Sequence, residues 1–231
     1  MSQFSVMQTE VLDRLTVLST STYITTAMVK RWLNMGMHWA LTWKKWPFLE
    51  MKGADLIDAT ATYPYPTGMR SKSAFLVRVD NKRYEKIRYE DYLTYLEDYS
   101  TGTDKVWAEY DRSIYINANA CVVDNTVEIY GQESVNDMSA DADTTPFTAA
   151  EPLGDEAVID KAVSMACKKI PGLLKQAQLE EQSAMQKLEI VWARIQEAKP
   201  REVLKSTPLF RKIDVLKGHT SSANPNNVGQ F

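Results

Sequence analysis

Cysteine and histidine are scarce: Cys121, Cys167, His38 and His219 are the only ones in 231 residues. Two cysteines do not make a disulfide framework, so free thiols and synthesis in a reducing compartment are expected. No paired Cys and His stand at zinc-ligand spacing, and no Ser/His/Asp set occurs. Neither cysteine has a cationic cluster beside it that would argue for an activated thiolate. Neither of the glycine-rich phosphate-binding patterns, GxGxxG or GxxxxGK[ST], is present. No apolar run approaches the ~18 residues a membrane span needs. The N-terminal MSQFSVMQTEVLDRL lacks the charged-then-apolar order of a signal peptide. Catalytic, metal and cofactor-binding residues are therefore assigned to none, and no membrane partner is expected.

Basic charge is short over most of the chain. Residues 1–160 carry 15 Lys/Arg against 24 Asp/Glu, a balance of −9, whereas residues 161–231 carry 12 against 6, a balance of +6. An acidic body with a basic end suits contact with an acidic partner surface. It argues against a dedicated nucleic-acid binder, which shows a clearly basic domain.

Tryptophan is what the chain has in one place. Trp32, Trp39, Trp43 and Trp46 are four of its six. With Ile24, Met28 and Met35 they step by three and four, which predicts one stripe on a helix over about 22–45. Pro47 ends it. These four tryptophans are the expected core, each side chain worth ~1.5–3 kcal/mol when buried. The Lys44-Lys45 pair among them reads as an exposed pair at a helix end rather than a base-stacking site. Phe4, Met7, Val11, Leu15 and Leu18 predict an earlier helix over 3–18. The Ser19–Thr22 hydroxyls offer N-caps to the second helix, which should pack antiparallel to the first.

From Gly53 the period changes to two. A strand is expected over Gly53–Pro66, closing in Tyr63-Pro64-Tyr65-Pro66, and another over Phe75–Asp80, turning at Asn81-Lys82 into Arg83–Ile87. Tyr89–Tyr99 predicts a short helix with Tyr92, Leu93, Tyr95, Leu96 and Tyr99 apolar. Lys105–Tyr110 and Ser113–Asn117 predict a hairpin turning at Asp111-Arg112, and Thr126–Gly131 a half-buried strand. Asn136–Pro152 reads as a polar, acidic loop. Its Asp137, Asp141 and Asp143 lack the ligand spacing, central Gly and closing Glu of a calcium loop. Helical spacing returns at Gly154 with Val158, Ala162, Met165 and Ala166. Pro171-Gly172 breaks it, and a last helix runs over about 173–199 to Pro200. The switch of period predicts an α+β fold with at least four substantial helices and an antiparallel sheet in the middle third.

Residues 201–231 carry two prolines and little periodicity. Their apolar residues argue against a merely solvated tail. They read as an extended C-terminal arm that lies in a groove or adds to a sheet edge on another chain. The alternative is that they fold back on their own body.

This order of features resembles the head-to-tail adaptor (connector) proteins of tailed bacteriophages. The resemblance is carried by the helix ending in Trp43-Lys44-Lys45-Trp46-Pro47-Phe48-Leu49 and the strand closing in Tyr63-Pro64-Tyr65-Pro66. The β section with its Tyr-rich helix, the Val127–Gly131 strand, the acidic loop, two further helices and a tail continue it. The chain departs at Asn117–Cys121, where the family often has a proline-rich turn. The resemblance implies a helical bundle of two N-terminal and two C-terminal helices with a central antiparallel β insertion. The single adaptor body would cover 1–200, with helices over 3–45 and 154–199 and the insertion over 50–135; the arm would cover 201–231. It implies a structural virion protein of the head–tail neck, made in the host cytoplasm and without catalysis. It would form a homo-oligomeric ring, twelvefold by family analogy, bound to the portal and to tail or nozzle proteins. Double-stranded DNA would pass through the lumen without specific binding. Arg201, Leu204, Pro208, Leu209, Phe210, Arg211, Lys212 and Ile213 would form the arm that docks on the portal or a neighbouring subunit. A monomeric cytosolic protein- or nucleic-acid-interaction module is the competing class, and an enzyme using the acidic loop a third.

Overall fold

The structure, a computed structural model, describes residues 3–18, 24–56, 62–121 and 125–198. The chain divides into two compact units, Met1–Trp192 and Ala193–Phe231. Among the described residues six helices form: α1 (Phe4–Leu18), α2 (Thr26–Trp43), α3 (Tyr89–Asp98), α4 (Pro146–Ala150), α5 (Leu153–Cys167) and α6 (Leu174–Ala198). Seven strands form: β1 (Glu50–Leu56), β2 (Thr62–Pro64), β3 (Leu76–Val79), β4 (Lys82–Lys86), β5 (Val106–Tyr110), β6 (Ser113–Ile116) and β7 (Thr126–Gln132).

A helical bundle with a small antiparallel insertion is not what these elements build. The strands join into one curled, mixed sheet of seven, in the order β1-β7-β3-β4-β5-β6-β2. Three non-local events make the difference. The expected strand over Gly53–Pro66 is two strands, β1 and β2, at opposite ends of that order. β7 inserts between β1 and β3, antiparallel to both. β4 and β5 run parallel, Glu85 opposite Val106 and Lys86 opposite Trp107. Parallel neighbours need a crossover, which α3 supplies.

The local turns follow their residues. Two-residue hairpin loops need φ > 0 at both central positions. Asp111 and Arg112 adopt 42° and 59° between β5 and β6, and Asp80 and Asn81 adopt 46° and 61° between β3 and β4, one residue before the expected turn. Val77, Val79, Ile114, Ile116, Val127 and Ile129 point inward with Trp107, Tyr84, Tyr63 and Met69 as the core of the curled sheet. Gly53 marks where the curl brings β1 close to the chain beyond β2. A Cβ there would overlap the Pro66 ring.

The helical layer is organised around α5, twelve of whose 15 residues are buried. α1 and α2 pack against it. Thr25 caps α2, its side chain accepting from the Met28 N–H, so this helix starts later than expected. Its buried face is Val29, Trp32, Leu33, Gly36, Met37, Ala40 and Leu41. That face is offset from the tryptophan stripe. Trp32 is buried, Trp39 and Trp43 are half-buried, and Met35 is exposed. The reason is the close α2–α5 crossing: a Cβ on Gly36 would stand 3.0 Å from the Val158 carbonyl oxygen. Only small residues fit on that line, which puts the large rings to its sides. Trp46 is fully buried but beyond the helix. Its indole N–H donates to the Ala40 carbonyl at 2.9 Å, closing the end of α2 before the Pro47–Leu49 3-10 turn.

Candidate functional site

The buried charged residues of the helical layer are paired, whereas the buried Gln8 Nε2 on α1 has no hydrogen-bond partner among the described residues. Asp160 on α5, 1% exposed, accepts from Arg14 Nη1 at 2.8 Å, Lys187 Nζ at 2.8 Å and Ser183 Oγ at 2.6 Å. It thereby ties α1, α5 and α6 together. Its neighbour Lys161 pairs with Glu181 and lies 4.3 Å above the Trp39 ring. Hydrogen bonds from Lys161, then Lys168, hold the Glu181 carboxyl below its ordinary range. Asp155 accepts from Thr145 and from Thr148 Oγ1 at 2.8 Å, fixing α4 to the start of α5. These groups hold helices to one another. Sequence reading passed over them, although an Asp-Lys pair inside an apolar helical run is the signal that would have found them.

The four tryptophans expected as core divide between two places. Trp43 and Trp46 join Phe48, Phe147 and Trp192 in one aromatic cluster, with Trp46 edge-on to Phe147 at 5.2 Å and to Trp192 at 5.6 Å. Lys44 lies 4.8 Å over the Trp43 ring, so that lysine is held by aromatic faces. Trp39 meets Lys161 of α5, and Trp32 is buried on α2.

The acidic loop is buttressed. Asn34 clamps the Met138 backbone N–H and carbonyl at 2.9 and 3.0 Å. His38 meets Asp137 at 2.6 Å and Lys30 meets Asp141 at 3.4 Å. Asp143 accepts the Ser139 and Ala140 N–H groups, which holds its carboxyl low. The Asp143 and Asp141 carbonyls receive the Phe4 and Ser5 N–H groups at the start of α1. Its later part is α4 rather than loop. Among the described residues no three His, Cys, Asp or Glu side chains group as a metal site. Burial pushes both thiols, Cys121 and Cys167, above their ordinary range.

A large cleft lies on the sheet, and sequence reading did not single it out. It measures about 1050 Å³ and opens between the start of α3 and the β5–β6 hairpin. Its floor is a hydrogen-bonded chain. Tyr65 donates to Glu109, and Lys86 Nζ donates to Glu109 Oε2 at 2.7 Å and to the Ala74 carbonyl at 3.1 Å. Burial, then Glu109, pushes the Tyr65 phenol up, so it stays a donor at neutral pH. The wall is aromatic. The Tyr89 and Tyr110 rings stack with centroids 4.3 Å apart and planes 8° from parallel, and Tyr115 packs on Tyr89 at 5.0 Å. Tyr92 anchors α3 beneath them, its hydroxyl donating to the Ile116 carbonyl. Burial, then Tyr89, pushes its phenol up to about 12. Charges of both signs stand on the rim: Lys72, Arg88 and Arg112 with Glu90 and Asp111. Arg88 is taken by Asp91 at 2.9 Å; the other four form no ion pair among the described residues. Such a site can hold a ligand through an aromatic face and paired polar groups. The legible signal was tyrosine at 89, 92, 95 and 99, one helical stripe.

The arm residues Arg201, Leu204, Pro208, Leu209, Phe210, Arg211, Lys212 and Ile213 lie outside the described residues. Among the described residues no helix is long and apolar enough to cross a membrane. No family model matches the chain, and no curated protein matches it significantly.

Proposed function

We propose that this chain is a subunit of a head-to-tail adaptor ring in the neck of a tailed bacteriophage. In this reading it is a structural virion protein that binds the portal above and tail proteins below. DNA slides through the ring without specific binding, as an acidic body favours. The linear layout that resembles the adaptors is the starting point for this reading.

The observation that carries it is the outer face of α6. Of the ten large apolar side chains exposed among the described residues, four are on this helix: Leu174, Leu179, Met185 and Ile190. Leu179 and Ile190 are three turns apart on the side away from buried Ala177, Ala184 and Leu188, with Gln182 and Gln186 between them. Leu174 and Met185 lie on another side of the helix, so the uncharged row Leu179, Gln182, Gln186 and Ile190 is the surface assigned to another subunit in this reading. Its occupant is a second copy of the chain. The −9 of residues 1–160 and the +6 of residues 161–231 make the two ends of neighbouring copies attract. A ring closes when each subunit gives one surface and receives a different one. Arm residues Leu209, Phe210 and Ile213 supply the contact to the portal in this reading.

The mass of the full chain, alone and with its cognate portal ring, tests this. Multi-subunit rings on the portal are expected. Leu179→Glu with Ile190→Glu should abolish them, and removal of residues after Lys199 should leave a folded body that no longer joins the portal. A one-subunit mass at every concentration, with no attachment to the portal, overturns the reading. That result would favour a monomeric interaction module, a second reading supported by the tyrosine cleft, which needs no neighbour.

A further inference from the structure

We propose that the cleft between α3 and the β5–β6 hairpin docks an extended segment of a different protein, carrying an aromatic or proline residue between charges of both signs. The inference goes beyond the ring reading and does not depend on it.

Three observations converge. The first is composition. Among the described residues the exposed large apolar side chains outside the helical layer are Leu93, Tyr99 and Tyr110; of these Tyr110 lines the cleft itself, while Tyr99 stacks on Tyr95. Leu93 is one turn along α3 from Tyr89 and Glu90, which line the cleft, and stands beyond its edge. Tyrosine with arginine at the edge of a concave site is the composition of binding hot spots, because a rigid ring covers much area at little entropic cost.

The second is preorganisation. Tyr110 is 54% exposed yet stacked flat on Tyr89, and the floor is fixed by Tyr65, Glu109 and Lys86. A partner would order few side chains on arrival. A proline or aromatic ring stacks on the free face of Tyr110, as extended proline-rich segments do on aromatic grooves.

The third is charge. Lys72 and Arg112 stand opposite in sign to Glu90 and Asp111 on one rim, all four without an ion pair among the described residues. A nucleic-acid backbone presents only negative charge and would meet Glu90, Asp111 and Glu109 as well as the cations. A polypeptide satisfies both signs at once.

A displayed library of random 12-residue peptides, selected on the full chain, is the probe. Lys72 and Arg112 both sit at φ near 60°, a backbone conformation asparagine accepts readily, so Lys72→Asn with Arg112→Asn leaves the turns unstrained. Exposed Tyr110→Ala serves as an independent variant. The enriched peptides should carry Pro, Tyr or Trp between acidic and basic residues. Each variant should weaken them by about tenfold or more while leaving the thermal midpoint close to that of the parent. A 20-nucleotide oligodeoxythymidylate should bind more weakly than the peptides. Failure of any peptide to enrich overturns the proposal. So does equal binding by parent and both variants, or tighter binding of the oligonucleotide.

Discussion

Asp160→Asn tests what ties the helical layer together. The carboxylate is 1% exposed and receives Arg14, Lys187 and Ser183, at 2.8, 2.8 and 2.6 Å. Asparagine keeps the volume, but it removes the charge and turns an amide N–H₂ toward one of these donors. Breaking a buried ion pair from one side costs ~3–5 kcal/mol when the remaining charge is stranded. Here the stranding is incomplete. Arg14 is 33% exposed and keeps Glu10, while Lys187 is 21% exposed and keeps Glu156. Solvent and these second carboxylates bring the expected loss to ~2–3 kcal/mol. For a body of this size that is a fall of ~4–12 °C in thermal midpoint. Urea denaturation at pH 7, with the slope unchanged, measures it directly. Glu156→Gln is the control: it touches the same lysine at 3.2 Å but is 56% exposed, so it should cost less than ~1 kcal/mol. If Asp160→Asn also costs less than ~1 kcal/mol, apolar packing alone holds α1 and α6 to α5 and the network is incidental.

Trp46→Ala should cost ~3–5 kcal/mol, because it empties a fully buried aromatic site and frees the Ala40 carbonyl. Half-buried Trp43→Ala should cost clearly less, and equal losses in urea midpoint would refute the assignment of Trp46 as the anchor. Glu181 is held below its ordinary value near 4.5 by Lys161 and Lys168. Its contribution is therefore full above that value and disappears as pH falls through the lowered one. The stability gap between parent and Glu181→Gln should be constant above the ordinary carboxylate value and shrink as pH falls below it; a gap that does not change with pH on acidification contradicts the pairing.

Much of the fold was legible where it is local. The helix at Phe4–Leu18 declares itself by steps of three and four, and the β5–β6 hairpin by alternation around Asp111-Arg112. What periodicity does not carry is which strands meet. Nothing in Thr126–Gln132 says that it lies between Glu50–Leu56 and Leu76–Val79; packing of its Val127 and Ile129 with Val77 and Val79 decides that. The tryptophan stripe is buried at Trp32 and Trp46 and only half-buried at Trp39 and Trp43, for a related reason. Bulk marks a residue as wanting burial, but Gly36 and Ala40 take the line nearest α5, because only small side chains admit a second backbone there. The cleft was little legible. Of the tyrosine stripe on α3 only Tyr89 lines it, and Lys72, Tyr110 and Arg112, with Tyr65 bonded to Glu109 behind, come to it only through the curl of the sheet.

The pairing of β1 with β7 sets a timetable for synthesis. Glu50 faces Gln132, 82 positions later, and Gly36 faces Val158, further along still. At ~5–20 residues per second, β1 waits ~4–16 s on the ribosome before its partner has been made. The two hairpins, β3–β4 and β5–β6, close within a few residues and need not wait. Each nascent chain therefore carries α1, α2 and β1 as unfinished surface until α5 emerges. Where many copies are translated from one message, premature meetings between neighbours are a hazard that chaperone supply, rather than final stability, would govern.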